Sequence, residues 1–298
     1  NSFALDRCLL AVKSAFDSHD RTGIACGFKN SGFGVGVEDV GRCILSVENA
    51  TVHIRTSAAC MGQGLATVCI QLVCHTTGLK PSKVLCESPD TRRTPDAGTS
   101  TASRQTVITG EAIRQAATKL LRDLQSVHMN LEKLEGREYH GQFSAVTDPM
   151  GSSKPNPKSH IAYSFSAQVV SLDESGRVDK VTASCDVGTV VNPVAVEGQI
   201  EGGVVMGLGY ASTERFPIEN GYPKVRYATL GLFKATDAPD IEALMVNSGV
   251  PNPESYGAKG IGELCTIPTA PAVQNAYFRM DGKFRTSLPL EETPYSRP

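Results

Sequence analysis

Two periods of apolar spacing alternate along this chain, and each switch between them marks an element. Cys43-Ile44-Leu45-Ser46-Val47 and Thr51-Val52-His53-Ile54-Arg55 follow a period of two on either side of Glu48-Asn49-Ala50, which predicts a β-hairpin. From Leu65 the period becomes helical. Leu65, Val68, Cys69, Leu72 and Val73 form an i, i+3, i+4, i+7, i+8 stripe, and Gly78 and Pro81 end it. A short strand is predicted over 83–87 and a polar loop over 88–103. A long helix then carries Ile113, Ala116, Ala117, Leu120, Leu121, Leu124, Val127, Leu131 and Leu134 on one face.

The same order returns later. Residues 160–172 and 178–187 read as a hairpin across Asp173-Glu174-Ser175-Gly176, and Asn192-Pro193 supplies an N-cap and first helical position for the next helix. That helix carries Gly198, Gly202, Gly203, Gly207 and Gly209. Each interior glycine costs roughly 1 kcal/mol of helix stability, so something is expected to pack against its backbone. A strand over 241–247, a last helix from Ile267 and an extended tail over 286–298 complete the pattern. Residues 136–158, rich in Gly, Pro and Ser, read as a connecting loop. The fold class predicted is α+β: two similar helix-covered β-sheet subdomains, 1–135 and 159–298, joined by 136–158.

Composition narrows the function. Among 298 residues, 40% are hydrophobic and 20% charged, and the formal net charge is −2. There is no basic footprint for nucleic acid, and no apolar run approaches the roughly 18 residues of a membrane span. The start lacks both an initiator Met and a signal-peptide pattern, so it reads as an internal cut or a processed chain. The nine cysteines form no C-x-x-C pair. They read as reduced thiols of a cytoplasmic protein, used as small hydrophobes; a zinc or iron–sulfur site needs tighter clustering. The histidines show no metal spacing, so no side chain is assigned as a metal ligand.

Three segments carry candidate chemistry. Gly257-Ala258-Lys259-Gly260-Ile261-Gly262-Glu263 delivers a carboxylate after a glycine-rich turn. Gly62-Gln63-Gly64 sits between a strand and a helix, where backbone amides suit an anion. The loop from Asp90 to Gln105 is dense in hydroxyls and arginines, and Arg104 could fork onto phosphate oxygens. No G-x-x-x-x-G-K-[ST] or G-x-G-x-x-G fingerprint is present. Read one at a time, these segments remain compatible with plain turns or with an unrelated nucleotide-binding module.

Taken together they resemble the xanthine dehydrogenase/aldehyde oxidase family of molybdenum hydroxylases. The blocks are Met61-Gly62-Gln63-Gly64 with Thr67 and Gln71; Asp90-Thr91, Thr94-Pro95-Asp96-Ala97-Gly98 and Ala102-Ser103-Arg104; Gly198-Gln199-Ile200-Glu201-Gly202; and Lys259-Gly260-Ile261-Gly262-Glu263. The resemblance covers about residues 20–285 and points to the C-terminal, molybdopterin-binding part of the large catalytic subunit. It implies a molybdenum–molybdopterin cofactor, in bacteria often the cytosine dinucleotide form. Gly62, Gln63, Gly64, Ser103, Arg104, Gln199, Lys259 and Gly260 would hold the pterin and its phosphates, and Glu263 matches the family's catalytic base. Ser255 and Tyr256 are read as pocket lining. The substrate implied is an N-heterocycle or an aldehyde, hydroxylated with oxygen from water. Iron–sulfur centres and FAD are expected on partner subunits or domains. The N-terminal half of the large subunit is a further expected partner, and the resemblance leaves room for a homo-oligomer. Without that half, the alternative is a fragment that folds but binds no cofactor.

Overall fold

A computed structural model describes residues 3–247, 249 and 253–296. Two four-stranded sheets organise it. The first has the order β4-β3-β2-β5, with β2 Val40–Glu48, β3 Thr51–Arg55, β4 Val84–Cys86 and β5 Glu138–Ser144. The second has the order β1-β6-β7-β10, with β1 Thr22–Ser31, β6 Ala162–Leu172, β7 Val178–Asp186 and β10 Asp240–Val246. A separate two-stranded ribbon, β8 Ile218–Glu219 with β9 Tyr222–Pro223, precedes β10 in the chain.

Each sheet is built alike. An antiparallel hairpin (β2-β3, β6-β7) is followed by a helix and then by a strand parallel to the hairpin's second arm (β4, β10). The helices are α2 Leu65–Thr77 and α4 Pro193–Ser212; α3 Gly110–Ser126 and α5 Thr269–Asp281 follow, and α1 Leu5–Phe16 opens the chain. The predicted stripe of α2 is buried in full, against Leu45, Val47, Val52 and Ile54 of the first sheet and Leu120 and Leu124 of α3. Its C-terminus is capped by Gly78 in the left-handed region, as a helix stop requires.

Two expectations differ from what is found. The fourth strand of the first sheet, β5, falls inside the stretch read as a connecting loop, pairing antiparallel with β2. The fourth strand of the second sheet comes from the start of the chain: β1 pairs with β6 from Thr22↔Ser171 to Ser31↔Ala162. The subdomains therefore do not divide at 136–158. Residues 5–31 belong with the second sheet, since α1 buries Cys8 and Val12 against Ala167 and Val169 of β6. The long predicted helix also stops early. After Ser126, His128 and Met129 take left-handed backbone (φ 53° and 62°), and Asn130 caps a separate turn that buries Leu131 and Leu134.

In the second sheet, one face packs on α1 and the other on α4 and α5, with Val170, Val181 and Ala183 meeting Ile200, Val204, Leu208 and Val273. The glycines of α4 explain part of this. A Cβ on Gly203 would stand 2.5 Å from the Cβ of Cys265, and one on Gly207 would stand 2.5 Å from that of Thr269. The close approach seats the segment that carries Glu263. Gly198 and Gly202 have nothing within 4 Å of such an atom and lie on an exposed face with Val194, Met206 and Tyr210.

Candidate active site

A cleft of about 350 Å³ opens where the two units meet. Its walls come from 61–68, 100–106, 187–199 and 258–263, so all four quoted blocks converge. Of the residues assigned from sequence, Gln63, Ser103, Arg104, Gln199, Lys259, Gly260 and Glu263 line it. Gly62 and Gly64 do not line it but shape its rim. Both have positive φ (120° and 81°), and Gly64 caps the N-terminus of α2. At that end, hydrogen bonding from the amides of Gly62 and the first turn of α2 holds the Cys60 thiol below its ordinary range. The amides there favour negative charge.

Ser103 and Glu263 meet at the rim of the cleft. Ser103 Oγ donates to Glu263 Oε2 at 2.7 Å and accepts from the Glu263 backbone N–H at 3.2 Å. The loops touch because Gly260 has no side chain: a Cβ there would lie 1.7 Å from the carbonyl oxygen of Ser103. Ala102 and Ser103 both hold left-handed backbone (φ 53° and 49°), a strain that the surrounding contacts must sustain. Glu263 is half exposed, so its carboxylate faces solvent and cleft rather than a sealed pocket. Lys29 Nζ lies 3.1 Å from the same oxygen, Oε2. No sequence signal marked Lys29, which lies on β1, far along the chain from Glu263.

Three assigned residues turn out to use their polar atoms elsewhere. Arg104 is the largest fully buried side chain. Its Nε donates to Asp39 at 2.6 Å, and its other nitrogens donate to the carbonyls of Ala97, Thr99 and Val40. The guanidinium expected to hold phosphate instead ties the 97–104 loop to β2. Lys259 is likewise turned inward onto Asp186, both side chains being almost wholly buried. Burial pushes the Asp186 carboxyl above its ordinary value while Lys259 pulls it back. Gln63 closes its own loop, donating to the Ala59 carbonyl and accepting from Met61 N–H. The Gln199 side chain, by contrast, makes no hydrogen bond among the described residues, and Gln199 lines the cleft. Ser255 and Tyr256 are absent from the lining. Ser255 donates to the Thr106 carbonyl, and Tyr256 shares a hydrogen bond with Thr76, stitching the two units together.

The open side of these glycine loops suits a flat, polar ligand. A Cβ on Gly262 would meet only Ser103 Oγ at 3.7 Å and Gln199 Oε1 at 3.8 Å, and one on Gly62 would meet nothing within 4 Å. Bare backbone, a free amide and a helix N-terminus are chemically matched to a pterin and its phosphate. Residues 11–239 match the family described as the molybdopterin cofactor-binding domain. The chain belongs to this family. The molybdopterin-binding chain is 30% identical, over 90% of its length, to the putative xanthine dehydrogenase molybdenum-binding subunit of Escherichia coli K12. It is 26% identical, over 86% of its length, to the gamma subunit of the 6-hydroxypseudooxynicotine dehydrogenase complex of Paenarthrobacter nicotinovorans. It spans about 40% and 36% of these two relatives. The aldehyde oxidoreductase structure from Desulfovibrio gigas superimposes with a TM-score of 0.79 at 24% identity, over 95% of this chain and 34% of that one, a likeness of fold. Among the described residues, no helix of the molybdopterin-binding chain is long and apolar enough to cross a membrane.

Proposed function

We infer that this chain forms one wall of the molybdopterin site of a xanthine dehydrogenase/aldehyde oxidase-type hydroxylase, acting on an N-heterocycle or an aldehyde. The observation that carries the reading is the meeting of four separated blocks at one cleft, with a carboxylate held at its rim by Ser103. Gln199 and the bare backbone of Gly260 and Gly262 would hold the pterin, and the amides at the α2 N-terminus its phosphate. When bound, the cofactor supplies a Lewis-acidic metal that takes up two electrons from substrate. Glu263 accepts the proton released as water-derived oxygen is transferred to substrate. Iron–sulfur and flavin modules on partner subunits or domains would carry the electrons away; that the Paenarthrobacter relative is one subunit of a complex supports the existence of partners. The dinucleotide form of the cofactor is part of this proposal.

The test is Glu263→Gln in the assembled, cofactor-loaded protein. Turnover should fall by about 10²- to 10⁴-fold, the usual contribution of a general base, with molybdenum and pterin content unchanged. Turnover near the parent level would remove Glu263 from the reaction. The second reading, a chain that folds but holds no cofactor by itself, is favoured by one observation: the exposed Val194, Met206, Tyr210 face of α4 beside Gln199. Metal and pterin analysis of the isolated chain separates the two.

A further inference from the structure

We propose that Lys29 is the positioning residue for Glu263: its ammonium, with Ser103, occupies Oε2 and turns Oε1 to the cleft. This rests on the reading of Glu263 as the base. The geometry begins in β1. Gly23, Ala25, Gly27 and Lys29 share one face of that strand by its period of two. A Cβ on Gly23 would lie 2.1 Å from the backbone nitrogen of Ala276, and one on Gly27 would lie 2.9 Å from Ile267. Three small residues thus let α5 and the turn before it lie on the strand. The fourth position carries the one long side chain, which reaches past that contact to the carboxylate.

The neighbouring strand acts on the same segment. Ser164, paired with Lys29 in register, donates to the Gly260 carbonyl at 2.8 Å. Gln168, paired with Ala25, donates to the Cys265 carbonyl at 2.7 Å. The sheet face therefore grips the backbone on both sides of Glu263 and, through Lys29, the side chain itself. The ammonium is itself fixed: Nζ also donates to the Asn30 carbonyl at 3.0 Å and to Asn30 Oδ1 at 3.2 Å. Asn30 thus holds the ammonium through two hydrogen bonds, and Glu263 meets it as an ion pair at 3.1 Å, so its position is set by the protein itself. The Ser103 hydrogen bond and the Lys29 ion pair both fall on Oε2, and Oε1 makes no hydrogen bond among the described residues. A half-exposed glutamate with three side-chain torsions otherwise samples many rotamers. Anchoring one oxygen leaves the other as the single basic site facing the cleft.

Two measurements test this. The first is independent of turnover. A water-soluble carbodiimide condenses a carboxylate with an amine in contact with it, losing one water. Treated protein should yield a Lys29–Glu263 isopeptide cross-link in peptide mass spectra, lost in Lys29→Met. Absence of that cross-link in the parent would overturn the pairing. The second is steady-state kinetics of the loaded protein. Lys29→Met should lower kcat by about 10- to 100-fold, the scale of a misplaced reacting group, with KM within about twofold. Lys29→Arg, which keeps a cation of similar reach, should restore most of the loss. A Lys29→Met protein with unchanged kcat, alongside an inactive Glu263→Gln, would refute the role of Lys29 alone. An active Glu263→Gln would instead remove the reading beneath it.

Discussion

Replacing Arg104 by Met separates two roles that a buried arginine beside a cofactor cleft could have. Arg104 and Asp39 are 0% and 1% exposed, and the guanidinium also donates to three backbone carbonyls. Met keeps much of the volume and removes every donor. Asp39 would stay buried with only the Phe33 N–H, at 2.9 Å, still directed at it. Removing one partner of a buried ion pair costs about 3–5 kcal/mol, because the remaining charge loses its compensation. That is a large share of a total stability of about 5–15 kcal/mol. With a urea slope of about 3 kcal/mol/M, the unfolding midpoint should drop by a little over 1 M. Urea titration followed by circular dichroism reads this directly in the chain without cofactor. Replacing both residues, Asp39→Leu with Arg104→Met, should recover part of the loss, since no lone charge remains. A midpoint within about 0.3 M of the parent, about 1 kcal/mol on that slope, would show that the ion pair does not hold the loop. Should cofactor affinity then fall as well, Arg104 would be a phosphate ligand after all.

Three further outcomes follow from the same structure. Gly260→Ala places a methyl 1.7 Å from the Ser103 carbonyl oxygen, so the two rim loops must separate; the Ser103–Glu263 hydrogen bond should be lost in a crystal structure of the variant, and turnover with it. Leu264→Ala empties a fully buried position next to Glu263 and should cost about 2–5 kcal/mol in urea or thermal unfolding. Glu111 gives a pH dependence: burial pushes its carboxyl up, but Arg114, the Ser255 N–H and Gln115 together hold it below its ordinary value of 4.5. A lowered folded value means the stabilisation is complete above about pH 4.5 and disappears as pH falls through the folded value, so Glu111→Gln should flatten the fall in unfolding midpoint below pH 4.5.

What could be read from the chain alone follows the range of each interaction. The β2-β3 hairpin and the buried stripe of α2 are encoded within a dozen residues, where period and turn chemistry act directly. The glycines of α4 were legible as a demand for close packing, and Gly203 and Gly207 meet it against Cys265 and Thr269. The convergence of the four blocks was legible only through their resemblance to a family, since nothing local says that 62, 103, 199 and 263 meet. The destination of β1 was not legible, because its partner β6 lies some 130 residues later and its mixed apolar and small residues suit an edge in either sheet. Arg104 misled for a related reason. A cation in a polar loop looks free until Asp39, on the way into β2, is seen to face it. Lys29 gave no signal, because its meaning comes from what the sheet places opposite it.

The placement of β1 bears on how this protein can be cut and rejoined. The chain begins in the second unit, crosses to the first after Ser31 and crosses back before Ala162, so the first unit is spliced between two strands that are hydrogen-bonded neighbours, Ser31 standing opposite Ala162. Its entry and exit are therefore adjacent, as in a domain inserted into a host. Expressing residues 1–135 and 159–298 as separate pieces would strand β1 and α1 with the wrong partner and leave β6 an open edge. Excising residues 32–161 and closing the gap with a short turn would keep β1 and β6 as a plain hairpin. Such a piece would keep Lys29 on β1 but lose Ser103, so it would separate the two groups that meet at Glu263 Oε2.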